Sequence, residues 1–166
     1  MSFMRKIGII SDTHGYWEDK FVDYFSSCDE IWHAGDFGNE EVLNNLEVIK
    51  PVRGVFGNMD NYLIRLRCPE ILRFKVEEVD VLLTHIGGYP GAFAPKIHRE
   101  IYTSTPALFV CGHSHVLKVM FDKTLKMWCM NPGAAGKIGY HTFRTIIRLV
   151  IDGEEIKDLE VIELNG

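Results

Sequence analysis

The sequence contains few cysteines, and their spacing matches no cysteine motif. Cys28, Cys68, Cys111 and Cys129 lie far apart, and no Cys-x-x-Cys pair occurs among them. No signal-peptide pattern precedes them, so a secreted disulfide framework is not expected. We therefore predict that all four are reduced thiols, either in the core or at the surface.

The sequence also lacks any long hydrophobic run. No apolar stretch approaches the roughly 18 residues that a membrane span requires. The opening Met-Ser-Phe-Met-Arg-Lys leads directly into a predicted strand instead of a signal peptide. The expectation is a cytoplasmic protein that does not associate with membranes.

The sequence also has fewer positively than negatively charged residues. Across 166 residues the formal net charge is -5, and the 18 lysine and arginine residues are scattered along the chain. That distribution argues against general nucleic-acid binding, which needs a basic surface. At 19.0 kDa the chain is expected to form one domain over residues 1–166, and such a domain buries roughly 70% of its unfolded surface. These features leave homo-oligomerisation open.

Hydrophobic periodicity divides the chain into an α/β front half and a β-rich back half. Alternating or short apolar runs predict strands, namely residues 5–10, 30–33, 52–56, 72–76, 79–84, 107–111, 116–121, 125–130, 141–151 and 155–162. Apolar residues at helical spacing predict helices at residues 17–25, 42–49 and 94–103. Turns are expected at residues 77–78, 122–124 and 152–153.

Several polar residues with metal-binding side chains fall in five short blocks, each where a predicted strand ends. They are Asp12, His14, Asp36, Asn58, His85, His113 and His115. In open α/β sheets, ligands bind beyond the carboxyl ends of the strands, so these blocks are expected to share one site. The i, i+2 spacing within the first and last blocks would project both side chains to the same side of an extended segment.

The donor types favour a particular class of metal ion. Carboxylate, imidazole and amide groups without thiolate suit Mn, Fe, Co, Ni or Zn, and do not suit a structural zinc cage. Two divalent ions would add about +4 of charge, and two aspartates would cancel about 2 of it. The remaining positive charge would attract a phosphate ester.

Each residue also has a simpler structural interpretation. A lone aspartate after a strand is often a helix or turn cap, and Asn58 could be a turn residue with positive φ. His33 lies three positions before Asp36. Its side chain could support a metal ligand or could simply pack in the core, and we give these two roles equal weight. His98 and His141 are interpreted as ordinary surface or hydrogen-bonded residues.

The five blocks taken together resemble a known family, the calcineurin-like metallophosphoesterases. The matching residues, in family order, are Asp12-Thr13-His14, Gly35-Asp36, Gly57-Asn58-Met59-Asp60, His85 and Gly112-His113-Ser114-His115. The most similar branch is that of the small single-domain bacterial and archaeal phosphodiesterases. Residues 131–134, Asn-Pro-Gly-Ala, resemble a further loop of the family, so the similarity spans nearly the whole chain.

This resemblance implies a fold and a cofactor. The implied fold is α/β, a four-layer α/β/β/α sandwich of two mixed β-sheets flanked by helices, with the metal site at the strand carboxyl ends. Two divalent metal ions are implied, with Mn expected first and Ni, Co, Fe or Zn as alternatives. One ion would take Asp12, His14, Asp36 and His115. The other would take Asp36, Asn58, His85 and His113.

The resemblance also implies a reaction. A small phosphate-ester substrate would be hydrolysed by in-line attack of a water or hydroxide that bridges the two metals. Asp36, Asn58 and His113 would be the catalytic residues. A metal-dependent phosphodiesterase is therefore the favoured function.

Two positions depart from the family pattern. Many relatives have histidine directly after the metal-binding asparagine, where it is the proposed proton donor to the leaving group, and this chain has Met59. The small phosphodiesterase branch also lacks that histidine. Ile86 follows the ligand His85, where relatives commonly have glycine, and it begins the glycine-rich segment of residues 86–91. This glycine-rich loop could bind an anion through backbone N–H groups or could simply form a turn.

Two alternative functions stay open. A phosphomonoesterase or nucleotide-anhydride hydrolase would keep the chemistry and change the substrate. A catalytically weak binding scaffold would be similar to a retromer subunit that shares the fold. All seven ligand positions are present in this chain, which disfavours the scaffold.

Overall fold

The computed structural model describes residues 4–164. Residues 1–3 and 165–166 lie outside the described part. The expectation that the first three residues lead directly into a strand concerns residues outside that part. Within the described part, none of the helices is long and apolar enough to cross a membrane.

Strands and helices alternate through the first half of the chain. In order, they are β1 (Met4–Ile10), α1 (Lys20–Phe25), β2 (Glu30–His33), α2 (Glu40–Ile49), β3 (Val52–Gly54) and α3 (Tyr62–Arg67). The second half is mostly strand, with a helix among the strands. Its elements are β4 (Ile71–Val76), β5 (Val79–Thr84), α4 (Pro95–Thr103), β6 (Leu108–Val110), β7 (Lys118–Asp122), β8 (Met127–Asn131), β9 (Thr145–Asp152) and β10 (Glu155–Glu163).

The strands form two mixed sheets of five strands each. The first sheet has the order β10-β9-β1-β2-β3, and the second has the order β4-β5-β6-β8-β7. In the first sheet β1, β2 and β3 pair in parallel, while β9 pairs antiparallel with β1 and β10. In the second sheet β5, β6 and β8 pair in parallel, and β4 and β7 add antiparallel edges. The carboxyl ends of the parallel strands therefore define one functional edge in each sheet.

Three apolar clusters hold four layers together, which confirms the predicted α/β/β/α sandwich. The central cluster packs the inner faces of the two sheets against each other, with Ile9 of β1 and Val81 of β5 among its members. Phe21 and Phe25 of α1 pack with α2 residues on the outer face of the first sheet. Ile101 of α4 and its neighbours cover the outer face of the second sheet. Because β1 and β2 are covered on both faces, residues 7–10 of β1 and all of β2 are buried.

Several element boundaries differ from the sequence-based expectation. The helix predicted over residues 17–25 begins only at Lys20, and the strand predicted over residues 141–151 begins only at Thr145. In the loop before β9, Arg144 donates hydrogen bonds to the carbonyls of Ala135 (2.9 Å) and Leu164. Side-chain contacts therefore hold this segment in place of strand pairing. The predicted turn at residues 77–78 is confirmed.

The short helix α3 was not predicted. Its start carries a usual signal, because the Asn61 side chain accepts a hydrogen bond from the Ile64 N–H. However, the helix has only six residues, and its apolar residues Tyr62, Leu63 and Leu66 are exposed. Apolar and polar residues therefore do not alternate with the helical period in its sequence.

Candidate metal centre

The seven side chains that the sequence predicts as ligands meet where the functional edges of the two sheets adjoin. Asp12 and His14 follow β1, Asp36 follows β2, Asn58 follows β3, His85 follows β5, and His113 and His115 follow β6. Ligand atoms lie within 4.8 Å of one another in two separate groups, Asp12-His14-His115 and Asp36-His85-His113. Asn58 adjoins the second group, because its Oδ1 lies 3.1 Å from His113 Nδ1. These groups correspond to the two ion sites that the family resemblance implies.

Five of the seven residues have a left-handed backbone. The φ angles are 53° at Asp12, 46° at His14, 59° at Asp36, 73° at His113 and 63° at His115. The extended backbone predicted for the first and last blocks is therefore wrong. Asp12 and His14 nevertheless share one ligand group, whereas His113 and His115 belong to the two different groups. Such a backbone costs about 1–3 kcal/mol per non-glycine residue and is concentrated at functional sites.

Backbone hydrogen bonds between neighbouring loops maintain this conformation. The Asp12 N–H donates to the Gly35 carbonyl and the His14 N–H donates to the Asp36 carbonyl, each at 3.0 Å. The loops after β1 and β2 are thus joined to each other, and they turn their side chains towards a common point.

Asp12 is fully buried and uses its two carboxylate oxygens differently. Oδ2 accepts hydrogen bonds from the Ser11 hydroxyl (2.7 Å) and the His113 N–H (3.1 Å). Oδ1 is buried without a hydrogen bond of proper geometry and lies 3.2 Å from His115 Nε2. Burial alone would raise the pKa of the Asp12 carboxyl, but the imidazoles of His115 and His14 outweigh it and hold the pKa well below its ordinary value. The carboxylate is therefore ionised, with one oxygen anchored and one available.

Asp36 repeats this arrangement and lies between the two ligand groups. Its Oδ1 accepts a hydrogen bond from the Met59 N–H at 2.8 Å. Its Oδ2 lies 3.1 Å from His85 Nε2 and 3.7 Å from His14 Nε2. One available oxygen therefore faces an imidazole of each group, which is the position that a bridging ligand requires.

His85 is oriented by a backbone carbonyl. Its Nδ1 lies 2.7 Å from the Ala34 carbonyl oxygen, so Nδ1 carries the proton and donates it. Nε2 then faces Asp36 Oδ2, and it is buried without a hydrogen bond of proper geometry. Burial alone would lower the pKa of His85, but the carboxylates of Asp36 and Asp12 outweigh it and raise the pKa. The surroundings of His85 therefore stabilise a positive charge.

His115 is oriented by a residue that the sequence analysis placed among ordinary surface or hydrogen-bonded histidines. His141 Nε2 lies 2.9 Å from the Gly136 carbonyl oxygen, so this nitrogen carries the proton of a neutral ring. His141 Nδ1 is then an acceptor, 3.3 Å from His115 Nδ1. With an ion bound, the His115 proton would stay on Nδ1, and Nε2, which lies 3.2 Å from Asp12 Oδ1, would be a ligand beside that oxygen. No sequence signal indicated this contact, because 26 positions separate the two histidines.

Asn58 and His113 form the open side of the site. Both are exposed, and their Oδ1 and Nδ1 atoms are 3.1 Å apart. Donor atoms placed about 2.1 Å from one ion stand roughly 3 Å from each other, so this separation suits two ligands of the same ion. A substrate reaching the centre meets these two residues first.

Asp60 holds the loops after β2 and β3 in register, a role that the sequence analysis did not assign. Its buried carboxylate accepts three backbone hydrogen bonds, from Asp36 N–H (2.9 Å), Gly57 N–H (2.8 Å) and Gly38 N–H (3.0 Å). Arg65 of α3 in turn donates to the Asp60 carbonyl at 2.9 Å. The available signal was the position of Asp60 at the end of the block that contains Asn58.

Asn131, at the end of β8, supports the loop after β6. Its Nδ2 donates to the Gly112 carbonyl (3.0 Å) and to Ser114 Oγ (3.1 Å), while its Oδ1 accepts from the Gly133 N–H (2.9 Å). The segment 131–134 singled out in the sequence therefore positions ligands and does not itself supply one.

Glycine is sterically required before two of the ligands. A Cβ atom at Gly112 would lie 2.1 Å from Ser11 Oγ and 2.8 Å from Asp12 Oδ2. A Cβ atom at Gly57 would lie 2.1 Å from Asp36 Oδ1. The glycines thus let the ligand loops approach the carboxylates closely.

His33 combines the two roles left open by the sequence. Its fully buried ring stacks on Phe37 at 3.6 Å, and burial lowers its pKa to about 3. Nδ1 of the neutral ring accepts from the Gly35 N–H (3.0 Å), and Nε2 donates to Thr13 Oγ1 (3.1 Å). His33 therefore packs in the core and also braces the residue between Asp12 and His14. By contrast, His98 lies exposed on α4, as expected.

The donor set fits divalent metal ions. Asp12 Oδ1, Asp36 Oδ2 and several imidazole nitrogens converge, and two buried atoms among them have no hydrogen-bond partner. Buried polar atoms are normally paired, and buried charges are normally paired or coordinate metals. Neither ligand group contains a thiolate, because all four cysteines are buried as free thiols outside both groups.

Comparison with known proteins identifies the family. The model of the calcineurin-like phosphoesterase superfamily domain matches residues 4–154. The chain belongs to this superfamily. This superfamily is one of metal-dependent phosphoesterases, which supports a hydrolase.

Individual relatives support the same assignment. A probable metallophosphoesterase from Methanothermobacter thermautotrophicus is 30% identical over 163 residues, which cover 94% of this calcineurin-like chain and 91% of that protein. The solved structure of an archaeal phosphodiesterase has 22% identity and a TM-score of 0.72, and the match covers 96% of this chain and 99% of that one. Vacuolar Protein Sorting 29 from Cryptosporidium parvum has 16% identity and a TM-score of 0.78, covering 99% and 100%. At these identities the two structures show the shared fold alone.

Proposed function

We propose that the protein is a phosphodiesterase that works with two divalent metal ions. The position of Asp36 Oδ2 between the two ligand groups, facing His85 at 3.1 Å and His14 at 3.7 Å, carries the proposal. One ion would be held by Asp12, His14, Asp36 and His115. The other would be held by Asp36, Asn58, His85 and His113.

The ions would polarise the phosphate, lower the pKa of a water molecule and neutralise developing charge. The protein's own groups prepare this chemistry. Ser11 and the His113 N–H hold one Asp12 oxygen, and the Met59 N–H holds one Asp36 oxygen, so the other oxygens keep a fixed direction. The exposed Asn58 and His113 are the residues that we place nearest the substrate phosphate.

The preference for diesters is inferred from Met59. This residue follows Asn58 directly, its side chain is 67% exposed, and a thioether cannot donate a proton. Among the described residues, the imidazoles near the centre are those of the ligand set, together with His33 and His141. Without a dedicated acid, which is worth roughly 10² to 10⁴ in rate, the enzyme should prefer esters whose leaving oxygen needs little protonation.

Manganese is the metal that we propose first, with Ni, Co, Fe or Zn as alternatives, because imidazole and carboxylate donors suit all of them. The substrate is proposed to be a small phosphate ester. The similarity in fold between this protein and the archaeal phosphodiesterase supports a diester substrate, but it does not identify the compound.

The test is a hydrolysis panel with purified protein and Mn, Ni, Co, Zn or Mg, before and after chelation. It should compare mono- and diesters of one leaving group, and diesters with leaving groups of increasing pKa. We expect metal-dependent turnover, faster for diesters, that falls steeply as the leaving-group pKa rises. Faster turnover of the monoester would favour the phosphomonoesterase and overturn the diester assignment, while leaving the metal centre intact.

A binding scaffold is the second candidate function, favoured by the similarity in fold to Vacuolar Protein Sorting 29. The retained seven-residue set argues for the enzyme. Elemental analysis should show close to two metals per chain, and His85→Ala should abolish turnover while the circular dichroism spectrum stays unchanged. A metal-free protein that hydrolyses no ester in the panel would favour the scaffold.

A further inference from the structure

An apolar cavity of about 420 Å³ opens beside the candidate metal centre. Its floor includes Phe109, Cys111 and Cys129 on the outer face of the second sheet, and its rim includes residues 86–89, Ala92 and Ala94. Cavities of this volume are typical of small-molecule sites.

The cavity is continuous with the ligand loop. Gly112, His113 and Ser114 line the cavity, and His113 is also one of the predicted ligands. A phosphate held at the centre would therefore have one ester substituent next to the cavity mouth. This proximity makes the cavity a natural place for part of the substrate.

The lining suits a flat apolar group. Cys111 and Cys129 are buried free thiols, and they pack as small hydrophobic groups. The ring of Phe109 is fixed edge-to-face by Phe93, with 5.7 Å between ring centres. Phe109 is only 1% exposed, so it gives the cavity a rigid apolar base, on which a large flat apolar group such as an aromatic ring fits best.

The polar groups of the lining lie at the rim or are already hydrogen-bonded within the protein, as the buried Asn131 side chain is. Lys118 Nζ lies 4.5 Å from the centre of the Tyr89 ring, so a positive charge stands at the mouth without entering the floor. The Ser114 hydroxyl oxygen accepts hydrogen bonds from the Val116 N–H (3.2 Å) and Asn131 Nδ2 (3.1 Å), which leaves its proton to donate. A second phosphate inside the cavity would lose its hydration against an apolar floor, whereas an aromatic ring would not.

We propose that this cavity binds an aromatic substituent of the diester substrate, an aryl or nucleobase group, and thereby selects aryl and nucleoside diesters over alkyl diesters. The inference rests on the proposed phosphodiesterase function and names its substrate class. The first four residues of the glycine-rich segment, residues 86–89, line the cavity, and they act as a wall of the substrate site.

The experiment uses three diesters that share the p-nitrophenolate leaving group: methyl p-nitrophenyl phosphate, phenyl p-nitrophenyl phosphate and thymidine 5′-(p-nitrophenyl) phosphate. Exposed Ala92 lies on the rim, so Ala92→Trp should fill the mouth. Ala107→Trp is the matched control, because Ala107 is also exposed and lies directly before β6, at the end away from the metal centre. Phe109→Leu is a second test variant that removes the ring and keeps an apolar side chain.

The measured quantity is kcat/KM for each aromatic diester divided by that for the methyl diester. Relative to wild type, we expect the ratio to fall at least about tenfold in Ala92→Trp, since burial of one ring is worth about that factor. Phe109→Leu should lower the ratio in the same direction, and Ala107→Trp should stay within about twofold. An unchanged ratio in both test variants would overturn the proposal. A loss confined to the thymidine diester would assign the cavity to nucleotides, and a loss shared by the phenyl diester would assign it to aromatic groups generally.

A binding measurement separates this inference from the proposed function. If the wild-type protein hydrolyses none of the diesters, the phosphodiesterase assignment fails, and the cavity is then tested by NMR titration of the metal-loaded protein with phenylphosphonate and methylphosphonate. The proposal expects phenylphosphonate to bind about tenfold more tightly and to shift the methyl resonance of Met130, which also lines the cavity. Equal affinities for the two phosphonates would refute the aromatic cavity independently of catalysis.

Discussion

At the residue scale, each buried carboxylate of the candidate metal centre has one oxygen fixed by hydrogen bonds and the other oxygen available to a metal ion. Asp12 and Asp36 both follow this arrangement, with anchoring donors at 2.7–3.1 Å. An asparagine at either position would have to place its amide nitrogen against an N–H donor or against the ligand group. Isosteric substitution therefore disturbs either the anchor or the metal ligand.

Asp36→Asn should lower turnover by at least about 10²-fold, because one substitution weakens a ligand assigned to both ions. The measurement is kcat/KM for the best diester at saturating metal. Asp23→Asn, on the exposed face of α1, is the matched control and should remain within about twofold of wild type. Equal activity in Asp36→Asn and wild type would exclude a mechanism with two metals at this site.

His141→Ala should weaken metal binding about 10- to 100-fold, because His115 would lose the acceptor that orients its ring and fixes its proton on Nδ1. The measurement is competition for the ion with a chromogenic chelator, and it needs no catalysis. His98→Ala removes an exposed imidazole from α4 and should leave the affinity unchanged. Unchanged affinity in His141→Ala would show that His141 is only a packing residue.

At the element scale, Glu30 of β2 joins the three parallel strands of the first sheet. Its carboxylate accepts hydrogen bonds from Arg5 of β1 (3.1 Å), Arg53 of β3 (2.9 Å) and Trp32 (2.7 Å). Burial alone would raise the pKa of the Glu30 carboxyl, but these hydrogen bonds outweigh it and hold the pKa below the ordinary 4.5. The ionised carboxylate therefore helps to align the strands whose ends carry Asp12, Asp36 and Asn58.

Glu30→Gln should lower the free energy of unfolding at pH 7 by about 1–3 kcal/mol, because the buried Trp32 N–H and the two partly exposed arginines lose a charged acceptor. A depressed pKa gives stability that is fully present above 4.5 and is lost as the pH falls through the folded-state pKa. The difference between variant and wild type should therefore shrink in acid, as measured by urea unfolding at each pH. Glu78→Gln is the control, since Glu78 is 66% exposed and 4.0 Å from Lys75, and it should change stability by less than about 1 kcal/mol. A pH-independent difference would contradict this role of the Glu30 charge.

At the scale of the whole molecule, the metal centre joins the two sheets. Asp12, His14, Asp36 and Asn58 come from loops of the first sheet, while His85, His113 and His115 come from loops of the second. Ions held by both sets would add a cross-link that the unfolded chain lacks. We therefore expect metal binding to be coupled to the stability of the sandwich.

Metal removal should lower the melting temperature by about 5–10 °C, because an ion at 100 times its Kd contributes about 2.7 kcal/mol to the folded state. The measurement is thermal unfolding after chelation and after re-addition of Mn, Zn or Mg. Asp36→Asn should show less than half of the wild-type increase on re-addition. An identical melting temperature with and without metal would mean that no ion binds under these conditions.

The sequence by itself determined the α/β class of fold, because periodicity marks strands and helices, and it placed seven donor residues directly after strands, at a functional edge. The family and the four-layer architecture followed from the resemblance of the five residue blocks to a known family. The short helix α3 and the loop before β9 escaped prediction, because the first has no apolar period and the second is held by distant contacts of Arg144.

Only the tertiary structure decided which atoms face each other. His14 and His115 are 101 positions apart in the chain but have Nε2 atoms separated by 3.4 Å. The left-handed loops, the anchored oxygens of Asp12 and Asp36, and the roles of Asp60 and His141 all follow from such long-range contacts. The aromatic cavity likewise arises where a loop covers the outer face of a sheet. Local sequence signals carry no information about these distances, because folding alone brings the separate loops to one edge.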